Sequence, residues 1–287
     1  ENVGWQGAEQ MSGYRLTGAV SKALNMPSVT AEEAKVMGPW IKLAGYLGDF
    51  VGQLTDEPIK AINILYDGVA AKMNLDALNC AVIAGIMKRV NPDVNMVSAP
   101  VVAKERGIQI STTNQDKAGA FDGYIKVTVV TDVRERSVAG TCFSDGKPRF
   151  IQIKGINIDA EVGAHMLYTT NEDAPGLIGT LGATMGETGV NIANFTLGRA
   201  EQGGEAIALL YVDDVVPTPV IDKLCQTGLF RQVKHLAFDV AETAPSCRSQ
   251  RRPYPGRRFP CRAGFMTHPI YAIGDIHGEI TMLRDAL

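Results

Sequence analysis

The sequence contains no apolar run of about 18 residues, so no segment reads as a membrane-spanning helix. No basic-then-apolar leader is present, so no secretory signal is expected. Cysteine is sparse: Cys80, Cys142, Cys225, Cys247 and Cys261 are five in number and no two stand as C-x-x-C. That excludes a disulfide scaffold or a zinc ribbon and leaves reduced thiols, as in a cytoplasmic protein. No G-x-G-x-x-G occurs anywhere, so the glycine loop that would cradle a dinucleotide pyrophosphate is missing. Neither charge sign dominates: the net charge is −3, which gives no reason to expect nucleic acid or an anionic membrane as partner.

That small net charge hides an uneven distribution. Residues 241–265 carry six arginines against Glu242, a net +5, while residues 266–287 carry −2 and residues 1–240 carry −6. An acidic globular body is therefore followed by something of different composition. Residues 241–265 are rich in Arg, Pro, Gly and Ser without periodicity and read as a disordered linker. The chain opens on Glu1 rather than Met, so a fragment or processed form is expected.

Along the body, residues 1–19 are weakly helical. Thr30 and Glu33 have capping-box spacing. Val36, Trp40, Leu43, Leu47, Phe50 and Leu54 then mark an amphipathic helix with a break expected near Pro39. Strands are expected at 59–65, 108–112, 124–131, 137–143 and 150–156, and a helix at 75–90. Asp145-Gly146-Lys147-Pro148 is a hairpin turn. These describe an α+β domain with an antiparallel sheet. From His165 the pattern becomes β-α-β-β-α-β, a ferredoxin-like unit. Its first helix is expected over 175–188, with Pro175 at the first helical position.

The turn Asn171-Glu172-Asp173-Ala174-Pro175-Gly176 precedes that helix. Helix N-termini offer unpaired N–H groups to a carboxylate, and Gly176 lets a ligand approach the backbone. Asp173 is either a helix cap or the acid that receives a ligand's ammonium group. Lys104, Arg106, Lys126 and Arg134 are candidate anion-binding groups in the preceding domain, with Arg136 nearby; for any one of them a solvated charged face is the favoured reading. His165 and His235 fall in strand patterns and read as structural.

The run Asp173-Ala-Pro-Gly-Leu-Ile-Gly, followed by Gly189-Val190-Asn191-Ile192, resembles an ACT domain. Upstream, four stretches resemble the long-form D-3-phosphoglycerate dehydrogenase family: Gly18-Ala19-Val20 through Pro27-Ser28, Ser98-Ala99-Pro100, Glu105-Arg106-Gly107-Ile108, and Lys154-Gly155-Ile156-Asn157. That family has an intervening regulatory domain before its ACT domain, and the resemblance covers about residues 1 to 240. It implies L-serine as effector, held by Asn171 and Asp173 of one subunit beside Gly176, with Asn191 supplied by the other subunit. It implies a homo-oligomer formed through the ACT domain. The parent reaction it implies is NAD-dependent oxidation of 3-phosphoglycerate in serine synthesis. No residue here matches the family's catalytic arginine, glutamate and histidine, so no NAD is expected in this chain and no dehydrogenase activity. Some family members carry histidine or tyrosine at the position of Asn171.

Gly274-Asp275-Ile276-His277-Gly278 follows an apolar strand pattern, and Asp275 and His277, two apart, project to one side. The string resembles the first block of calcineurin-like metallophosphatases, whose two-metal sites need further blocks not present before Leu287. The expected order is a remnant helix and linker over 1–26, the intervening domain over 27–160, the ACT domain over 161–240, the linker over 241–265 and a phosphatase-like start over 266–287. A metal-dependent phosphatase fragment and a free-standing amino-acid-binding regulator are the alternatives.

Overall fold

A stripe of apolar residues spaced three and four apart builds the first helix. The structure, a computed structural model, describes residues 31–116 and 120–240. The expected helix at 1–19, the cap at Thr30, and the tail with Asp275 and His277 lie outside the described residues. Helix α1 (Ala31–Leu54) buries Met37, Trp40, Leu43, Ala44, Leu47, Phe50, Val51 and Leu54. Two expectations are corrected here. Val36 is 62% exposed, and Met37 takes its place in the stripe. Pro39 stands inside the helix without ending it, because core side chains anchor the turns on both sides of it.

Strand β1 (Ile59–Gly68) leads through a 3-10 turn (Val69–Lys72) to α2 (Leu75–Met87). The Asn74 side chain caps α2 by accepting from the Ala77 N–H at 3.3 Å. A short helix that the sequence pattern did not announce, α3 (Ala99–Glu105), begins at the Ser98-Ala99-Pro100 motif. Then come β2 (Gln109–Gln115), β3 (Gly123–Thr131), β4 (Glu135–Cys142), β5 (Pro148–Ile153) and β6 (Ile156–Glu161). The stretch expected as one strand over 150–156 is a hairpin. Lys154 and Gly155 turn left-handed at φ 50° and 82°, and Ile153 pairs with Ile156.

The sheet order is β2-β1-β3-β4-β5-β6. Neighbours are antiparallel except β1 and β2, which run parallel because α2 and α3 form a crossover between them.

A second sheet follows: β7 (His165–Glu172), α4 (Leu177–Glu187), β8 (Ile192–Arg199), β9 (Glu205–Val212), α5 (Thr218–Gln226) and β10 (Phe230–Ala237). The order is β10-β7-β9-β8, antiparallel throughout. One face packs on α4 and α5 through Leu167, Leu181, Met185, Leu210, Val220 and Leu224. The other face joins the core of the first sheet. Phe50 lies 5.1 Å from Phe150 and 5.7 Å from Tyr168, ring centre to ring centre. The two sheets therefore share one hydrophobic core rather than meeting at a polar linker. Among the described residues no helix is long and apolar enough to cross a membrane.

Candidate functional site

Strand β7 delivers Asn171 and Glu172 to the mouth of α4. Helix α4 begins at Leu177, not at Pro175 as expected. Gly176, at φ 92°, is left-handed and cannot belong to a right-handed helix, so it becomes the cap. The helix N-terminus opens onto a cavity of about 170 Å³ lined by Asn171, Asp173, Pro175, Gly176, Ile178 and Leu197 among others. Three of the residues singled out in the sequence thus converge.

Asn171 is 1% exposed. Its Nδ2 donates to the Glu172 carbonyl at 2.7 Å, while its buried Oδ1 has no partner. An unsatisfied buried acceptor is costly, and this one belongs to a residue that lines the cavity. Asp173 is already engaged. Its Oδ2 accepts from the Gly203 N–H at 3.2 Å and from Arg199 Nη1 at 2.9 Å, and its own N–H donates to the Gly204 carbonyl at 2.8 Å. The Gly203 N–H first, and Arg199 second, hold its carboxyl below the usual carboxylate range. The β8–β9 turn is thereby tied to the cavity wall. Glu172 pairs outside the cavity with Arg231.

Asn191 follows α4 and lies outside this cavity's lining. Its Nδ2 donates to Asp213 Oδ2 at 2.7 Å. Helix α4, 11 residues long, separates it from the cavity by about 16 Å at 1.5 Å per residue.

The four candidate anion-binding residues do not stand on one element, although Glu57, the partner of Arg134, lines the same groove as Arg106. Lys104 and Arg106 are exposed at the end of α3, and Lys126 stands mid-strand on β3. Arg134 pairs with Glu57 at 2.8 Å, and the buried Arg136 lies 4.0 Å from the same carboxylate. Arg106 lines a larger groove, of about 680 Å³, with Gln53, Asp56, Arg89 and Lys234. Within that groove Lys234 donates to both carboxylate oxygens of Asp56.

Gln53, which the sequence reading passed over, ties α1 to β10 of the second sheet and also accepts from Arg89 at 2.6 Å. It is 2% exposed, donates to the Ala237 carbonyl at 2.8 Å and accepts from the Ala237 N–H at 2.9 Å. The signal was a polar side chain three residues past Phe50, on the apolar side of α1. Arg199 was also missed, and the Gly198-Arg199 to Gly203-Gly204 hairpin was its only local mark.

Among the described residues no group of three or more His, Cys, Asp or Glu side chains is placed to hold a metal. Among the described residues the parallel pair β1 and β2 is followed after β1 by the turn Val69–Lys72, whose sequence is not G-x-G-x-x-G.

Residues 36–154 match the family model of the D-3-phosphoglycerate dehydrogenase intervening domain. The chain is similar to D-3-phosphoglycerate dehydrogenase of Bacillus subtilis, 34% identical over 78% of this chain and 43% of that protein. It is similar to that of Methanocaldococcus jannaschii, 31% identical over 76% of this chain and 41% of that protein. For Synechocystis the figures are 31% identity, 80% of this chain and 42% of that protein. The chain thus spans about two fifths of the length of these curated relatives.

Proposed function

From this relationship to D-3-phosphoglycerate dehydrogenases we propose that the chain is the regulatory portion of such an oxidoreductase. Its β7-to-β10 unit is an ACT domain that binds a small amino acid, L-serine, at the mouth of α4. The observation that carries the reading is the buried, unpartnered Asn171 Oδ1 beside a helix N-terminus. The unpaired N–H groups of the first turn of α4 suit a carboxylate, while Asn171 and Asp173 suit an ammonium group. A cavity of about 170 Å³ limits the ligand to a small one. Two copies associate through this unit, and Asn191 reaches the cavity of the second copy. NAD and 3-phosphoglycerate belong to the parent enzyme's catalytic part, and the purified chain forms no NADH from them.

Calorimetry of the 287-residue chain with L-serine, glycine and L-alanine tests the proposal. Saturable heat is expected with serine, weaker with the other two. No heat and no thermal shift with serine at millimolar concentration overturns it.

A further inference from the structure

Asp173 turns an acid toward the cavity, but that acid already holds a cation. Both of its side-chain bonds fall on Oδ2, from Arg199 Nη1 at 2.9 Å and the Gly203 N–H at 3.2 Å. Arg199 stands two residues beyond Leu197 on β8, and residues two apart on a strand share a face. Leu197 lines the cavity, so the guanidinium comes from the cavity's own wall. The Arg199 side chain is 56% exposed and that of Asp173 is 22% exposed, so a solvent-facing cation reaches in to a partly covered acid. Among the described residues Arg199 pairs with no other acid.

We infer that Arg199 is a tethered competitor for the amine of the incoming ligand, and that binding exchanges its guanidinium for the ligand's ammonium group at Asp173. The inference rests on the reading of this cavity as an amino-acid site. Three consequences follow from the exchange. Removing Arg199 leaves the Asp173 carboxylate free for the ammonium, so amino acids bind tighter. The gain is about 1.5- to 5-fold, the strength of an exposed ion pair. The natural chain replaces one ion pair by another, so its affinity changes little with salt. A chain without the guanidinium forms a new ion pair on binding, so its affinity falls as salt rises. Finally, the gain is confined to ligands with an amine. Glycerate, which has serine's size but a hydroxyl in place of the ammonium group, gains nothing.

Calorimetry of the full chain and of Arg199→Met and Arg199→Gln, with L-serine and with glycerate at low and high salt, tests the exchange. Because the side chain is exposed, both variants keep the fold, and unchanged melting temperatures verify this. The expected result is tighter serine binding in both variants, a salt dependence absent from the natural chain, and no gain for glycerate. Serine binding that is unchanged or weaker in the variants overturns the exchange, as does an equal gain for glycerate. If serine gives no heat with any of the three proteins, the amino-acid reading fails and the exchange fails with it.

Discussion

In the six-stranded part, α1 and α2 touch through glycines. An added Cβ at Gly48 would stand 2.1 Å from the Val82 carbonyl oxygen, and one at Gly85 would stand 2.4 Å from that of Gly45. In the four-stranded part, α4 carries Gly179, Gly182 and Gly186 with nothing within 4 Å of where a Cβ would be. A helical glycine costs roughly 0.5–1 kcal/mol relative to alanine. In α1 and α2 that cost is offset by backbone contact at Gly48, Gly52 and Gly85, while Gly38 and Gly45 of α1 meet nothing within 4 Å. In α4 nothing within the described residues offsets it, and Ile178 and Leu197 are exposed nearby at 56% and 40%. The first part brings two helices together by backbone contact at these glycines, whereas the second holds the cavity at the mouth of α4 and that helix's open glycine face side by side. On the proposed function, ligand and second copy complete it.

The largest effect is expected where the closed region is forced apart. Gly48→Ala drives a methyl into the Val82 carbonyl, and overpacking of this kind costs about 3 kcal/mol. Urea denaturation should show the midpoint falling steeply. A midpoint near that of the natural chain would mean that α1 and α2 have room to separate, and the contrast between the regions would collapse.

At the open region, Asn171→Ala removes the unpartnered acceptor. A hydrogen bond to a charged group is worth about 1.5–3 kcal/mol, so serine should bind roughly ten- to a hundredfold more weakly. Unaltered affinity would show that Asn171 serves the fold alone. Gln53→Ala tests the seam between the regions. It leaves the Ala237 N–H and carbonyl without their partner, at a cost of about 2 kcal/mol. Hydrogen exchange should localise the loss to β10, and uniform loss over both sheets would show that they unfold as one.

Gly182→Ala is smaller and of opposite sign. Where no contact opposes the methyl, it stabilises by about 0.4–1 kcal/mol. The same change should weaken self-association if α4 meets a second copy. Sedimentation separates the two effects. A dimer of unchanged strength would move the interface away from α4.

Much of this contrast was legible in the sequence where periodicity governs. The apolar spacing of α1, the strand alternation of β3 and the β-α-β-β-α-β order can each be read residue by residue. What failed was local chemistry overridden by packing, or packing with no local mark. Pro39 lies within a helix held by the core on both sides. Lys154, a non-glycine residue at positive φ, concealed the β5–β6 hairpin. The parallel pairing of β2 depends on a crossover whose second helix, α3, is only 7 residues long. In the cavity, Asn171, Asp173 and Gly176 were recognisable as a helix-mouth motif. Arg199 was not, because its bond to Asp173 spans 26 residues and exists only once the β8–β9 hairpin has its register.

The smallest predicted effect concerns the two histidines at the outer end of the second sheet. The rings of His165 and His235 stack with centroids 5.4 Å apart, and His165 Nδ1 and His235 Nε2 are buried without partners. Burial first, then the nearby His165 and Arg89, holds His235 below its ordinary value of 6.5. The folded chain therefore takes up a proton at His235 less readily than the unfolded chain does. Stability from the neutral ring is complete above the unfolded value and is lost as pH falls from there through the lower folded one. Denaturation midpoints should begin to decline as pH falls below about 7.5 and continue to decline as it passes the lower folded value. In His235→Gln, which cannot titrate, that part of the decline should vanish while the midpoint at the upper pH stays close to that of the natural chain. If the variant declines as steeply, the proton is taken up elsewhere and the stacked pair plays no part in the acid response.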